Sequence, residues 1–134
     1  MPTPASKPIL LIDDDALQLR VRQAVLQQAG FQVETVTSGD EALRLLQPGQ
    51  GREFAAVITD HLLAESSGAE LVPQIRVIQP HIPIAVITGL PGAEDEYKGW
   101  NILFRQKPVP PEELIALARS VTQLTDPVDP QVDN

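Results

Sequence analysis

In the stretch Val57-Ile58-Thr59-Asp60, three residues that favour β-strands run directly into an aspartate. Small and polar residues then follow as far as Gly68. A short apolar run that is bounded in this way predicts a buried strand of a parallel sheet. The carboxylate would lie at the carboxyl end of that strand, which is where open α/β sheets place their chemistry.

Reactive side chains follow three other strand-like runs as well. They are Asp13-Asp14-Asp15 after 9–12, Thr88 after 84–87, and Lys107 shortly after 102–104. If the strands are parallel, these carboxylates, the hydroxyl and the ammonium meet at one rim of the sheet. Taken alone, the three aspartates have a simpler explanation, because carboxylates also suit the positive end of a helix dipole.

Helical patterns alternate with the strand-like runs along the chain. The predicted strands span 8–12, 31–36, 54–59, 82–87 and 102–104, and the predicted helices span 16–29, 39–47, 67–79 and 110–124. We expect Leu17, Val21 and Val25 to form one row of the first helix, and Pro73 to fall in the first turn of the third. Segment 89–99 contains a proline, glycines and three consecutive acids, so it predicts no more than two helical turns. The alternation predicts an α/β fold with a five-stranded parallel sheet and helices on both faces.

The bulk composition limits the class of protein. A chain of 134 residues predicts one domain, with proline-containing tails at 1–7 and 125–134 around a globular part at 8–124. Cysteine is absent, which excludes disulfides and thiolate metal sites and fits a reducing, cytoplasmic setting. The net charge of −8 opposes direct binding to nucleic acid. The apolar runs are too short to predict membrane contact.

The predicted rim would place several carboxylates close together. At a separation of about 4 Å, each like-charge pair costs about 1 kcal/mol in water and about 4 kcal/mol at an effective dielectric constant near 20. A cation or a proton must therefore relieve the repulsion, and oxygen ligands favour Mg²⁺ or Mn²⁺. A carboxylate nucleophile, a divalent cation, a hydroxyl and an ammonium together suit the transfer of a phosphoryl group.

Four separated motifs resemble the receiver domain of two-component response regulators. They are the aspartate run 13–15 after its strand, Asp60 with Gly68 beyond it, Thr88-Gly89 and Lys107-Pro108. The resemblance covers 8–124. It implies a doubly wound, flavodoxin-like sheet of strand order 2-1-3-4-5 and a domain that catalyses its own phosphorylation and dephosphorylation. The implied partner is a histidine kinase or a histidine phosphotransfer domain.

The resemblance also implies a role for each site residue. Asp60 is expected to be the phosphoacceptor, with Thr88 as the switch hydroxyl, Lys107 as the phosphate-binding lysine and Phe104 as the aromatic switch. We also expect a cis peptide bond between Lys107 and Pro108, because the lysine must turn back over the rim directly after a strand.

A metal site with Mg²⁺ or Mn²⁺ is implied by the same resemblance. Asp14 and Asp60 would be direct ligands together with the backbone carbonyl of Leu62, while Asp13 would act through a metal-bound water. His61 follows the acceptor directly, and the alternation of a strand places it on the opposite face, so we expect it to pack in the interior.

Two other functions remain open on the residues alone. The pattern Asp13-x-Asp15 after an apolar strand also suits a haloacid-dehalogenase-like phosphatase, although there is no room here for the cap of that family. A pseudo-receiver that acts only as an interaction module is the second alternative, and the intact set of Asp14, Asp60, Thr88 and Lys107 argues against it. Segment 104–110 resembles the receivers of hybrid histidine kinases more than those of transcription regulators.

Overall fold

The computed structural model describes residues 7–50 and 52–123, and it contains one five-stranded parallel sheet. The strands lie in the order β2-β1-β3-β4-β5, which confirms the predicted topology. Their bounds are β1 Ile9–Ile12, β2 Val33–Val36, β3 Ala56–Asp60, β4 Ile84–Thr88 and β5 Leu103–Gln106. Residues 1–6 and the predicted tail at 125–134 lie outside the described part of the chain.

Four α-helices connect or follow the strands, and a short 3₁₀-helix precedes β5. The α-helices are α1 Ala16–Gln28, α2 Gly39–Leu46, α3 Gly68–Ile78 and α4 Pro111–Gln123, and the 3₁₀-helix is Ala93–Tyr97. The five-residue 3₁₀-helix confirms that segment 89–99 forms no more than two helical turns. Within the described residues, no helix has both the length and the apolar character that a membrane span needs.

Side chains of a strand alternate between the two sides of the sheet, and helices cover both sides. Leu10 and Ile12 of β1 pack in a cluster with α2 and α3, whereas Ile9 and Leu11 pack in a second cluster with α1 and α4. All residues of β1, β3 and β4 are buried. The predicted placement of helices on both faces is therefore confirmed.

The strand register brings the predicted site residues to one rim. Ile12, the last residue of β1, is paired with Thr59, so Asp13 follows next to Asp60. Thr88 is likewise the last residue of β4 and is paired with Gln106 of β5. Because the strands are parallel, these chain positions end at the same edge of the sheet.

Of the predicted row of α1, only Val25 packs against the core, where it is half-buried. Leu17 is 70% exposed and Val21 is 55% exposed, whereas the residues that face the sheet are Leu19, Arg22 and Leu26. The reason is electrostatic, because the Arg22 guanidinium forms ion pairs with carboxylates inside the domain. Those contacts, together with the packing of Leu19 and Leu26 in the core, hold the helix in a rotation that leaves two apolar side chains in solvent.

The predicted place of Pro73 is also wrong, because α3 begins at Gly68 and the proline is its sixth residue. A capping box fixes this start: the Glu70 amide donates to the Ser67 hydroxyl at 3.2 Å, and the Ser67 amide donates to the Glu70 carboxylate at 3.3 Å. Pro73 lacks an N–H, so the carbonyl of Ala69 loses its usual backbone donor. The helix nevertheless continues to Ile78.

Candidate functional site

Asp60 ends β3, and its side chain is buried at the rim of the sheet. Each of its carboxylate oxygens has a different cationic partner. Arg22 Nη1 donates to Oδ1 at 3.2 Å, and Lys107 Nζ donates to Oδ2 at 3.3 Å. One helix and one strand end, far apart in the sequence, therefore supply the two cations that hold this carboxylate.

Burial raises the pKa of the Asp60 carboxyl above its ordinary value of 3.8. The positive charge of Arg22 opposes this rise in pKa, the negative charge of Asp13 adds to it, and Lys107 opposes it. The direction of the shift means that loss of water around the carboxylate outweighs the two cations. A further positive group would stabilise the ionised carboxylate.

Asp13 is fully buried and is the most highly connected of the predicted site residues. Its Oδ1 accepts a hydrogen bond from the amide of Asp15 at 3.0 Å. Its Oδ2 accepts from Gln18 Nε2 at 2.7 Å and from Arg22 Nη1 at 3.2 Å. These three donors satisfy both oxygens of the carboxylate at a position that water does not reach.

Arg22 links the two buried carboxylates. The residue is only 8% exposed, and its Nη1 lies 3.2 Å from an oxygen of Asp13 and 3.2 Å from an oxygen of Asp60. Its Nη2 donates to Gln18 Oε1 at 3.2 Å. Arg22 was not predicted as a site residue, although it falls on the same helical row as Leu19 and Leu26. A positive residue on a buried row, next to a strand end rich in acids, is the signal that could have found it.

The predicted metal ligands are only partly brought together. Asp13 and Asp60 share Arg22, whereas the side chain of Asp14 is exposed. Leu62 lies in the loop after β3 with its side chain 60% exposed. Within residues 7–50 and 52–123, no group of three or more histidine or acidic side chains is placed to hold a metal ion. The carboxylate oxygens suit Mg²⁺ in type, but two of the three carboxylates already have a cationic partner.

Thr88 and Lys107 lie side by side at the ends of β4 and β5. The Thr88 hydroxyl oxygen is buried and accepts a hydrogen bond from the Leu90 amide at 2.9 Å, and the Lys107 amide donates to the Thr88 carbonyl at 2.7 Å. The peptide bond between Lys107 and Pro108 is cis, as predicted. The Lys107 side chain extends back towards Asp60, with Nζ 3.3 Å from Oδ2.

On the other face of β3, an aromatic contact connects the acceptor strand with β5. His61 is buried, which confirms its predicted packing role, and its Nδ1 lies 2.6 Å from the hydroxyl of Tyr97. The rings of Tyr97 and Phe104 have centroids 5.7 Å apart. Burial, together with the charge of Glu96, raises the pKa of Tyr97. The phenol therefore stays protonated and can donate to the imidazole.

The same contact explains a small residue at the start of α3. A Cβ added to Gly68 would collide with the hydroxyl of Tyr97 and would lie 3.3 Å from the backbone oxygen of Asp60. The amide of Gly68 donates to the carbonyl of His61 at 2.6 Å. The close approach of three chain segments therefore leaves no room for a side chain at this position.

The model of the response regulator receiver domain family matches residues 9–119 of this chain. The chain is 27% identical over 118 residues to the cell cycle response regulator CtrA of Brucella ovis, and the match covers 86% of this chain and 50% of that protein. It therefore spans about half the length of the curated relatives it matches.

Solved structures agree with this match. A response regulator receiver protein from Sinorhizobium medicae is 29% identical with a TM-score of 0.76, and the match covers 90% of this chain and 97% of that one. Chemotaxis protein CheY4 of Vibrio cholerae is also 29% identical with a TM-score of 0.76, over 87% of this chain and 99% of that one. A phosphatase of the haloacid dehalogenase type and a pseudo-receiver are not favoured by these matches. This chain belongs to the response regulator receiver family, and its function is that of a receiver domain in two-component signalling.

Proposed function

We propose that Asp60 accepts a phosphoryl group from a phosphohistidine of a histidine kinase or a histidine phosphotransfer domain. The observation that carries this proposal is the pairing of the two Asp60 oxygens with Arg22 and Lys107 at 3.2 and 3.3 Å. These two contacts fix the position of a carboxylate, the group that acts as the nucleophile in this chemistry, at the rim of a parallel sheet. Receiver function in the family supports the choice of phosphodonor.

In the transfer step, one carboxylate oxygen of Asp60 attacks the phosphorus atom. The new bond is P–O, and the bond that breaks is P–N to the donor imidazole, whose nitrogen keeps the electron pair. The product is an acyl phosphate on Asp60. The reaction needs no other covalent participant, so the remaining task of the protein is to position the groups and to stabilise the charge.

Lys107 and Thr88 are the groups that we assign to the transferred phosphoryl oxygens. The Lys107 ammonium is already 3.3 Å from Asp60 Oδ2, and its side chain is one third exposed, so it can follow the charge onto the new group. The Thr88 oxygen accepts a hydrogen bond from Leu90, which leaves its own O–H able to donate. Both assignments rest on the positions of these residues beside the acceptor.

Mg²⁺, or Mn²⁺ in its place, would supply two positive charges to neutralise the phosphoryl oxygens when bound. The residues that we propose to hold it are Asp14 and Asp60 with the backbone carbonyl of Leu62, and Asp13 through water. The donor types support this, since all are oxygen atoms. We also propose domain limits of 8–124, which the family match over 9–119 supports, and a cytoplasmic setting, which fits a chain without cysteine.

Phe104 is the residue that we propose to carry the signal away from the site. Val86 of β4 is paired with Phe104 of β5, and Thr88 is two residues beyond that pair. The Phe104 ring also contacts Tyr97. The Tyr97 hydroxyl is within hydrogen-bonding distance of His61, the residue that directly follows the acceptor in the chain. A change at Thr88 or Asp60 would therefore reach the Phe104 ring through two different contacts.

Phosphorylation by a small donor tests the acceptor assignment. After incubation with acetyl phosphate and Mg²⁺, we expect intact-mass spectrometry to find one added phosphoryl group that hydroxylamine removes, as it does for acyl phosphates. Asp60→Asn should abolish the addition. Asp40→Asn removes an exposed carboxylate in the first turn of α2 and should be labelled like the wild type. Undiminished labelling of Asp60→Asn would place the acceptor elsewhere.

A further inference from the structure

Arg22 is an unusual element of this site because it is a buried cation supplied by the protein. The domain interior otherwise excludes charged side chains unless they are paired. Here the pairing is complete: the guanidinium contacts Asp13, Asp60 and Gln18 through two of its nitrogens. A structural role alone would be served by a shorter apolar side chain, as at Leu19 and Leu26 on the same row.

The position of the guanidinium is the important observation. A single nitrogen, Nη1, lies 3.2 Å from Asp13 Oδ2 and 3.2 Å from Asp60 Oδ1. That nitrogen therefore stands between the two buried carboxylates, where it relieves their mutual repulsion without any added ion. The same relief is the physical reason for expecting a divalent cation at this rim.

We propose that Arg22 is a resident counter-ion that competes with Mg²⁺ for the carboxylates of Asp13 and Asp60. This inference rests on the proposed function, since it concerns the metal that the acceptor site is expected to use. The guanidinium closes the site when Mg²⁺ is scarce. Entry of Mg²⁺ requires that the arginine leave at least one of its two carboxylates, so Arg22 sets the concentration of Mg²⁺ at which the acceptor becomes competent.

Competition follows from charge and from the number of available oxygen atoms. A guanidinium has only donors and cannot act as a metal ligand, so it cannot share its position with a cation. Two positive groups that approach the same pair of oxygens also repel each other strongly in a site that holds little water. Lys107 contacts Asp60 Oδ2, so the other oxygen of Asp60 is the one that Arg22 and the metal would both require.

The structure also provides a place for the displaced side chain. A groove of about 590 Å³ lies between α1 and α4, and Arg22 and Lys107 both line it. Gln18 lines the same groove and accepts a hydrogen bond from Arg22 Nη2. The guanidinium can therefore turn towards the groove and keep its contact with Gln18. This route makes displacement possible without unfolding the helix.

Titration calorimetry with Mg²⁺ tests the proposal directly. We expect Arg22→Met to bind Mg²⁺ at least about tenfold more tightly than the wild type, which corresponds to about 1.4 kcal/mol. Arg20→Met is the matched control, because it removes the same charge from an exposed position of the same helix. It should leave the affinity within about twofold of the wild type, since exposed charges are screened. Equal affinities of wild type and Arg22→Met, or equal gains in both variants, would overturn the proposal.

A measurement on the unaltered chain covers the case in which Arg22→Met fails to fold. In arginine-selective nitrogen–proton spectra, the assigned side-chain signal of Arg22 should shift on addition of Mg²⁺, with the same midpoint as the calorimetric binding curve. The Arg20 signal should stay in place. An Arg22 signal that remains unchanged at saturating Mg²⁺ would show that the guanidinium keeps its position, and competition would be refuted.

Failure of this inference can be distinguished from failure of the proposed function. If Mg²⁺ binds wild type and Arg22→Met equally and Asp60 is still phosphorylated, only the competition is wrong. If none of the proteins binds Mg²⁺, the metal assignment is wrong and the competition falls with it. If Asp60→Asn is labelled as well as the wild type, the acceptor assignment is wrong whatever the Mg²⁺ affinities are.

Discussion

Helices α1 and α4 both contain thirteen residues and cover the same face of the sheet, but they bury very different side chains. The buried side chains of α4 are all apolar, at Leu114, Leu117, Ala118 and Val121. In α1, the buried set contains Arg22, and two predicted apolar positions lie in solvent.

On this face of the sheet, α4 contributes packing alone, whereas α1 also contributes a charged residue to the site. In α4 the local apolar pattern agrees with the structure, so the helix serves to bury the sheet. In α1 the pattern is overruled by ion pairs to Asp13 and Asp60. Sequence patterns are expected to fail where a site has its own requirements, and the failure in α1 lies at the acceptor carboxylate.

Removing a buried apolar side chain of α4 should destabilise the domain more than any other change in this comparison. Leu117 of α4 is almost completely buried, so Leu117→Ala should lower the free energy of unfolding by about 3–5 kcal/mol through the lost contacts and the cavity. Leu17→Ala in α1 should change it by less than about 0.5 kcal/mol, because Leu17 is in solvent. Urea unfolding measures both, and similar losses would mean that the two helices pack alike.

The next effect tests the charged side of the comparison. Without Mg²⁺, Arg22→Met leaves two buried carboxylates with fewer partners, and a fully unpaired buried charge costs about 3–5 kcal/mol. We expect a loss of about 2–3 kcal/mol, because Lys107 still contacts Asp60. The comparison is urea unfolding in chelator against Arg20→Met, which should match the wild type. A more stable Arg22→Met protein would mean that α1 gains nothing from its buried charge.

The pH dependence of stability tests the raised pKa of Asp60, the carboxylate that Arg22 of α1 contacts. Burial raises the pKa of Asp60, so folding favours its protonated form. The stability that protonation contributes is complete below the ordinary pKa of 3.8 and is lost as the pH rises through the higher folded value. Asp60→Asn removes this loss. The variant should therefore gain stability relative to the wild type as the pH rises from below 4 to neutrality.

The measurement is urea unfolding of both proteins in chelator at a series of pH values. The same pair of proteins at one pH would not separate this effect from lost contacts with Arg22 and Lys107, because those contacts change in the variant as well. The informative quantity is the slope, against pH, of the difference in the free energy of unfolding between Asp60→Asn and the wild type. A flat difference, or one that favours the wild type at higher pH, would contradict the raised pKa.

The smallest effect concerns the residue that orients Arg22. Gln18 donates to Asp13 at 2.7 Å and accepts from Arg22 at 3.2 Å, so Gln18→Ala should cost about 1 kcal/mol. Thr122→Ala removes a hydroxyl of α4 whose partners within residues 7–50 and 52–123 are backbone oxygens of its own helix, and it should cost almost nothing. Thermal unfolding followed by circular dichroism can compare them. Equal shifts in the two variants would weaken the contrast between the helices.

The fold and the end of each strand, to within two residues, could be predicted from the sequence because burial on both faces leaves continuous apolar runs. Asp60, Thr88 and Lys107 follow from those runs, since parallel strands end at a common rim, and the structure places Lys107 beside Asp60. The cis peptide bond before Pro108 was predictable because the lysine has to turn back over the rim directly after a strand.

Arg22 and Tyr97 could not be predicted from the strand pattern. The contact of Arg22 with Asp60 depends on the rotation of α1 by a fraction of a turn, and the apolar residues alone favoured another rotation. The contact of Tyr97 with His61 depends on the path of a short 3₁₀-helix whose composition contains little periodicity. Contacts between elements that are far apart in the sequence decide both.

The contact between His61 and Tyr97 has a practical consequence for spectroscopy. The chain contains one tyrosine and one tryptophan, and they are Tyr97 and Trp100. The tyrosine hydroxyl lies 2.6 Å from the imidazole that directly follows the acceptor, and the indole is three residues further along. Near-ultraviolet light is therefore absorbed mainly within one short segment beside the site, and excitation energy can pass from the phenol to the indole. The domain therefore has an intrinsic optical probe in Tyr97, whose hydroxyl contacts the residue next to Asp60 in the chain.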